Sequence, residues 1–384
     1  MGLHPRGPGT RRPWRSAVTA ATLMTLIAGA AAGCGSDTGD KAAATQAAGA
    51  AKDRLAATPA LAELVAAAKK EGALDLNWGF DGRDTGKVLT DTFKRAYGLD
   101  IKITLTPNQN QPGNAAKLAQ EYKAKSPAST DAYLGSPELV LGLGPKRDDV
   151  LAKVDWTAFA PWTKGLANND GSALTFVDLI PGFTYNTTQL AQNAVPATAQ
   201  DVLKVGKPVA STPYAAQFNV LGTKEGMGAD GLRAYLKGFK AAGFLGCGEL
   251  NRIASGEFAA MWISCGKNIA DVFAAQGAPL KTAVLKDAAI TSTRYAAVPK
   301  NARHPNAAKL WVSWLLTPEA QKIVFEHDFA DNHRVAGSRT AGQLAEYEKQ
   351  GVKFTRVDYE FTLAHPELYN PKFKGELVSL LTNK

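Results

Sequence analysis

Along this chain, apolar positions spaced three and four apart alternate with runs spaced by two, the pattern of helices laid against strands. Leu61, Leu64, Val65 and Ala68 share one helical face, which Thr58 and Pro59 open and Lys69, Lys70 and Gly72 close. Leu74, Leu76, Trp78 and Phe80 alternate as a strand, and Val88, Leu89, Phe93 and Ala96 predict a helix ending at Gly98. Ile101, Ile103 and Leu105 form the next strand. Strand, helix and strand in this order imply a parallel pair with a right-handed crossover.

The alternation continues with a helix over 114–125, a strand over 131–134 and a helix over 137–143. The extended run over 177–186, broken by Pro181-Gly182, reads as a connection between two lobes rather than as a lobe interior. Beyond it come a strand over 209–212 and an amphipathic helix over 230–242. Residues 249–255, 258–264 and 267–276 then read helix, strand, helix. Tyr295–Val298 is strand-like, and Ala307, Leu310, Trp311, Trp314 and Leu315 line one buried helical face. Thr317-Pro318-Glu319 stops that helix and opens another, with Thr as N-cap and Pro at the first helical position. The pattern is α/β throughout, without an internal repeat. At 384 residues, two lobes are expected.

Composition adds a cellular address. Arg6, Arg11, Arg12 and Arg15 precede an apolar run, Ala17–Ala32, that ends in small residues before Cys34, the layout of a secretory signal peptide over residues 1–33. The competing reading is a transmembrane anchor, for which the run is short and interrupted by Gly and Thr. Ala31-Ala32-Gly33-Cys34 resembles a lipobox, which makes Cys34 the expected lipidation site. Thr10-Arg11-Arg12-Pro13-Trp14 is similar to a twin-arginine export signal. Residues 34–57, rich in Ala, Gly, Ser and Asp, read as a tether that holds the folded part near a membrane surface. The formal charge of +9 falls to about +5 once the signal arginines are removed. No basic run with interleaved aromatics points to nucleic acid. Cys247 and Cys265 are the two cysteines beyond Cys34, and an even pair in an exported chain suggests one disulfide, with two buried thiols as the alternative.

Several segments resemble bacterial extracellular solute-binding proteins of ABC transporters, in particular the iron- and phosphonate-transport-like branch. AAAKKEGALDLNWGF is similar to that family's opening helix and strand, FKRAYGLDIKIT to its second strand, TDAYLGS to the strand before the first pocket loop, and FTYNTTQL to its crossover. ASGEFAAMWIS and AVPKNARHPNAAKLWVSWLLTPEAQ complete the order, and the likeness covers most of residues 58–330. The resemblance implies a type II two-lobed periplasmic-binding-protein fold with a hinge, and a solute held in the cleft between the lobes. It implies lobe 1 over 58–180, lobe 2 over 181–293, a return to lobe 1 over 294–330 with the hinge near Arg294–Tyr295, and C-terminal helices over 331–384 closing on lobe 2. The implied protein is a monomeric lipoprotein on the outer face of the cell membrane, delivering a small solute to a membrane permease without catalysis or cofactor.

In such sheets the loops after strand carboxyl ends make the crevice, and helix N-termini there favour anions. That logic selects Trp78, Phe80, Asp81 and Arg83, then Gly135 and Ser136, from lobe 1. From lobe 2 it selects Tyr185, Thr212, Tyr214, Ser264 and Lys267. Aromatic rings would stack a solute, Arg83 would fork an anionic group and hydroxyls would orient it. Ferric-binding members carry two adjacent tyrosines after the Gly-Glu pair. Here those positions fall near Gly266 and Lys267, and a lysine repels a trivalent cation. A phosphonate- or carboxylate-like anion is therefore the expected solute, with a ferric ion or iron chelate as the alternative.

Other chemistries find little support. His327 and His333 fit no zinc spacing and read as a solvated loop, and His304 reads as a turn residue. No Gly-x-Ser-x-Gly, Walker or dinucleotide glycine pattern is present. A ligand sensor of the same fold, and an exported hydrolase or transferase on this scaffold, are the remaining alternatives. The first would be found with a signalling partner in place of a permease, and the second would turn its solute over.

Overall fold

Trp78, Phe93, Trp311 and Trp314 come from three separate elements and meet in one aromatic core, which ties the first strand to the helices around it. In the computed structural model, which describes residues 58–214 and 217–382, helix α1 (Pro59–Glu71) buries Leu61, Leu64, Val65 and Ala68 and stops at left-handed Gly72. Thr58 starts this helix but does not cap it: its hydroxyl donates instead to the Phe159 carbonyl at 3.2 Å. The signal peptide, the lipobox at Cys34 and the tether expected over 1–57 lie outside the described residues.

Strand β1 (Ala73–Trp78), helix α2 (Thr85–Tyr97) and strand β2 (Lys102–Pro107) form the expected crossover, with β1 and β2 parallel and in register from Ala73–Lys102 to Trp78–Pro107. Helix α3 (Gln111–Lys123), strand β3 (Tyr133–Gly135) and helix α4 (Pro137–Leu143) follow. A parallel bridge from Leu76 to Ala132 links the β1–β2 pair to the segment entering β3.

The run expected to be a bare connection is interior on both sides of Pro181-Gly182. Strand β4 (Ala173–Leu179) and strand β5 (Phe183–Asn186) are buried along their whole length, because each is flanked by neighbours in a different sheet. Helix α5 (Ala199–Val202), strand β6 (Val209–Ala210), helix α6 (Gly228–Gly238), helix α7 (Asn251–Ala254), strand β7 (Ala260–Met261), helix α8 (Lys267–Ala275) and strand β8 (Leu280–Ala283) build the second lobe. Its sheet runs β6-β7-β5-β8.

Strand β9 (Ile290–Ala297) carries the chain back. Its first residue belongs to the second lobe's core, with Phe183 and Trp262, and Ala296 belongs to the first lobe's, with Trp78 and Trp311. Along the way β9 pairs antiparallel with both β3 and β4. Helix α9 (Pro305–Trp314) then buries the expected face completely, and helix α10 (Pro318–Asp328) is capped by the Thr317 hydroxyl, which accepts from Ala320 N at 3.3 Å.

Helix α11 (Arg339–Lys349), strand β10 (Thr355–Val357), helix α12 (Tyr359–Ala364) and helix α13 (Pro371–Thr382) end the described chain. They do not all close on the second lobe. Strand β10 adds in parallel to β9, and Tyr359 of α12 joins a first-lobe cluster with Tyr133 and Tyr295. Leu377 and Leu381 of α13 join the second lobe's core. The apolar positions of this segment point in two directions, so it straddles both lobes. No described helix is long and apolar enough to cross a membrane.

Candidate functional site

Strand residues alternate between faces, and β9 uses this to serve two surfaces. Ser292 and Arg294 face a cavity of about 680 Å³, while Thr291, Thr293 and Tyr295 line a separate groove on the other side. The cavity is bounded by the loops after β1, β2 and β3, by β4 and β9, by Thr212, Tyr214, Gln217 and the 263–269 segment of the second lobe, and by α13. It therefore sits between the lobes, at strand ends, where open α/β sheets place ligands.

Arg294 is its central charge. The guanidinium donates from Nη1 to Ser292 Oγ at 3.1 Å and, among the described residues, meets no carboxylate within ion-pairing distance. Burial pulls its pKa down, while Asp81 and the phenols of Tyr214 and Tyr133, acting through space, oppose that pull. Arginine stays protonated in any such setting. A half-buried cation that faces a cavity with no anion in contact is a place where an anionic group can bind.

Asp81 faces the same space, and burial raises its pKa. Its Oδ2 accepts from Asn268 Nδ2 at 2.8 Å and its Oδ1 from Gln109 Nε2 at 3.4 Å, so the first contact joins the two lobes. A second interlobe contact runs from Lys374 Nζ on α13 to both Glu138 oxygens on α4, at 2.7 and 3.0 Å.

Behind Asp81 lies Asp328, whose Oδ1 accepts from Gly82 N at 2.7 Å and from the Thr85 hydroxyl at 2.5 Å. Burial first, and the nearby Asp81 charge, push its pKa up to about 7. Because this folded-state value exceeds the unfolded one, the folded protein binds the extra proton between about pH 4 and 7. The group's contribution to stability is complete below that window and is lost as pH rises through 7, by up to about 1.4 kcal/mol per pH unit. Asp328→Asn keeps an acceptor toward Gly82 and Thr85. Urea unfolding at pH 5 and pH 8 is expected to show a smaller pH dependence in the variant; equal slopes would show that Asp328 does not titrate there.

The residues selected from sequence divide. Phe80, Asp81, Ser136, Thr212 and Tyr214 line the cavity. Trp78 borders it but is spent on the core: its ring is buried against Phe176 and Trp311, and its Nε1 donates to the Ala132 carbonyl at 2.7 Å. Gly135 lies in β3 between Leu134 and Ser136, which line the cavity, but is not itself in the lining, and a side chain there would run into the Tyr133 ring. Arg83 is exposed and outside the lining, because the turn after β1 directs it to solvent. Tyr185 is buried in the second lobe's sheet, its hydroxyl donating to Gln192 Oε1 at 3.0 Å. Ser264 is buried with its Oγ accepting from Gly182 N at 3.4 Å. Lys267 is the most consequential correction. It opens α8 outside the lining, and its ammonium is paired with Asp271 one turn on, so it presents no free charge to a solute.

Cys247 and Cys265 are disulfide-bonded, with Cα atoms 5.6 Å apart, and both border the cavity. The Tyr214 hydroxyl lies 3.0 Å from Cys247 Sγ. The bridge closes a loop with a sequence separation of 18 residues, worth about 3 kcal/mol on the chain-entropy model. Reduction is therefore expected to lower the free energy of unfolding by about that amount, read by urea titration with and without a dithiol. An unchanged midpoint would show that the bridge constrains nothing.

The histidines hold the frame. His333 Nδ1 sits 2.6 Å from Asp178 Oδ2, a buried carboxylate in β4, so the solvated-loop expectation fails for it. His304 Nδ1 lies 2.7 Å from Asp131 Oδ2. Asp75, Asp131 and His304 approach one another closely enough to hold a metal ion, but the Asp131 oxygens already accept N–H groups from Asp75, Arg303 and His304. This cluster anchors a turn.

The architecture is the two-lobed fold of type II periplasmic binding proteins, and solved structures similar to it include ABC-transporter substrate-binding proteins. One such protein from Bradyrhizobium japonicum USDA 110 superposes with a TM-score of 0.64 at 13% identity, covering 81% of this chain and 99% of the other. The binding protein AgtB from A. tumefaciens R10, in complex with agropinic acid, gives 0.62 at 14% identity over 80% of this chain and 98% of its own. Iron-bound HitA from Pseudomonas aeruginosa gives 0.56 at 18% identity over 69% and 88%. No protein-family model and no curated protein matches the sequence.

Proposed function

We propose that this chain is the extracellular solute-binding receptor of an ABC importer, and that it captures an anionic solute between its lobes. The observation that carries the reading is Arg294: a cation on the strand that joins the lobes, facing the interlobe cavity with no carboxylate in ion-pairing distance among the described residues. An anion bound there would form a charge-assisted, bidentate pair. The interlobe contacts Asn268–Asp81 and Lys374–Glu138 then favour the closed arrangement, which is the state a permease must distinguish from the empty one. A ferric ion is disfavoured beside the guanidinium, and the cavity has no pair of adjacent tyrosines in its lining. Agropinic acid, named for one structural neighbour, is by its name an acid, which accords with the reading.

The domain plan belongs to the proposal. Residues 58–180 with 294–330 form the first lobe, 181–293 the second, and the C-terminal segment joins both. Cys34 is the lipid attachment site, and the mature protein is a monomer at the outer face of the membrane, delivering its solute unchanged to a permease.

A thermal-shift screen of carboxylates, phosphonates, sulfonates, sugars, polyamines and ferric chelates tests this. A solute at 100 times its dissociation constant stabilises by about 2.7 kcal/mol, an easily read shift. Stabilisation by anions supports the proposal; stabilisation by polyamines or ferric chelates alone overturns it.

A further inference from the structure

We infer that the solute is an amphipathic anion, with one anionic head at Arg294 and an apolar body of at least aromatic-ring size, rather than a small oxyanion or a wholly polar acid. The inference rests on the anion reading above and goes beyond it to the shape and chemistry of the remainder of the molecule. Three observations converge.

The first is size. About 680 Å³ is the middle of the range that holds ligands of drug size, and a phosphonate or short carboxylate bound at Arg294 would leave most of that space to water. The second is the wall. Phe80, Leu134, Phe176, Leu179, Ile263 and Ile269 all contribute to the lining, and they come from both lobes and from the crossing strand β4. Apolar surface gains about 25 cal/mol for each Å² removed from water, so closing on a polar solute would forfeit what these side chains offer. The third is the charge count. Lys374 is committed to Glu138, and the Asp81 carboxylate, bonded only to the neutral amides of Asn268 and Gln109, keeps its charge and acts on Arg294 through space; Arg294 is the one cation in the lining without a carboxylate in ion-pairing distance among the described residues. One such cation, with a standing carboxylate nearby, calls for no more than one anionic group; a solute with several would bury the others unpaired.

The amide side chains of Asn77, Asn108 and Asn114 cluster at the first-lobe end of the same cavity, with Asn108 Nδ2 donating to Asn114 Oδ1 at 2.9 Å. They add neutral polar groups to the lining. The cavity therefore combines a cation without a carboxylate in contact, apolar side chains and neutral amides.

The test is calorimetric titration of the purified protein with matched probes: acetate against phenylacetate, methylphosphonate against phenylphosphonate, and benzyl alcohol as an uncharged control. At least one phenyl-bearing anion is expected to bind about 30-fold or more tightly than its methyl partner. Equal affinity within both pairs, or failure of both phenyl anions to bind, overturns the amphipathic inference. Benzyl alcohol binding as tightly as phenylacetate would instead overturn the anion reading and leave the apolar body standing. A second measurement, fluorescence of 1-anilinonaphthalene-8-sulfonate, guards against a poor choice of headgroup. One saturable site is expected in the native protein and its loss in Arg294→Met; identical titration of the two proteins overturns the placement of the head.

Discussion

Arg294→Met is expected to weaken binding of an anionic solute by about 100-fold or more while making the ligand-free protein more stable. The two effects share one cause. Without solute the guanidinium is half-buried and partly desolvated, with Ser292 Oγ its one hydrogen-bond partner among the described residues. Methionine fills similar space with no charge to desolvate, and since replacing even buried ion pairs by apolar groups is often neutral or stabilising by about 1–4 kcal/mol, the gain here is expected at the low end of that range. With solute the same guanidinium is the counter-charge, and truncating one member of a buried charged pair typically costs about 2–5 kcal/mol. Melting curves with and without solute read both quantities in one experiment. A variant that loses stability and keeps its ligand-induced shift would remove Arg294 from the site.

Trp311→Ala is expected to destabilise the protein by about 3–5 kcal/mol, the largest effect on folding that a single core truncation produces. Trp311 is fully buried and meets the rings of Trp78, Phe93 and Trp314 at centroid distances of 6.0, 5.1 and 5.6 Å. No single neighbour can collapse into the space of an indole, so a cavity remains. Trp78 ends the strand that leads to Phe80 and Asp81, so the loosened core lies directly beneath the site. Denaturant titration measures the loss, and a cost below 1 kcal/mol would contradict the packing described. Trp311→Phe, which keeps a ring against Phe93, should recover much of it.

The scaffold was legible because its signals are local. A helix such as 305–314 declares its buried face through Ala307, Leu310, Trp311 and Trp314, and Thr317-Pro318 marks its end without reference to anything distant. The crossover of β1, α2 and β2 follows from periodicity and Gly98 alone. The site was half legible because its members are set by which side of a strand or turn they leave. Phe80, Asp81, Ser136, Thr212 and Tyr214 reach the cavity, but Arg83, two residues past Asp81, points to solvent. Lys267 stands at the right loop, yet Asp271, one helical turn on, removes its charge. That pairing was present in the i, i+4 spacing and is the signal that would have discounted it. Arg294 reads from sequence as a hinge residue, whereas the fold turns it into the cavity. Its signal was a single charge inside ITSTRYAA, a strand otherwise built from small, apolar and hydroxyl-bearing residues. What could not be read was that no carboxylate from another element reaches it, since that depends on the whole fold.

Because Arg294 lies on the strand that passes from one core to the other, its position is nearly independent of how far apart the lobes stand. On the proposed function, a solute arriving with the lobes apart would meet the guanidinium first, and the interlobe contacts made by Asn268 and α13 would follow as the cleft shuts. The kinetics of capture and retention then separate by residue. Charge at position 294, together with ionic strength, governs how fast the solute is caught, whereas Asn268 and Lys374 govern how long it stays. Dwell time is accordingly adjustable at the interlobe contacts while the charge at position 294 stays in place.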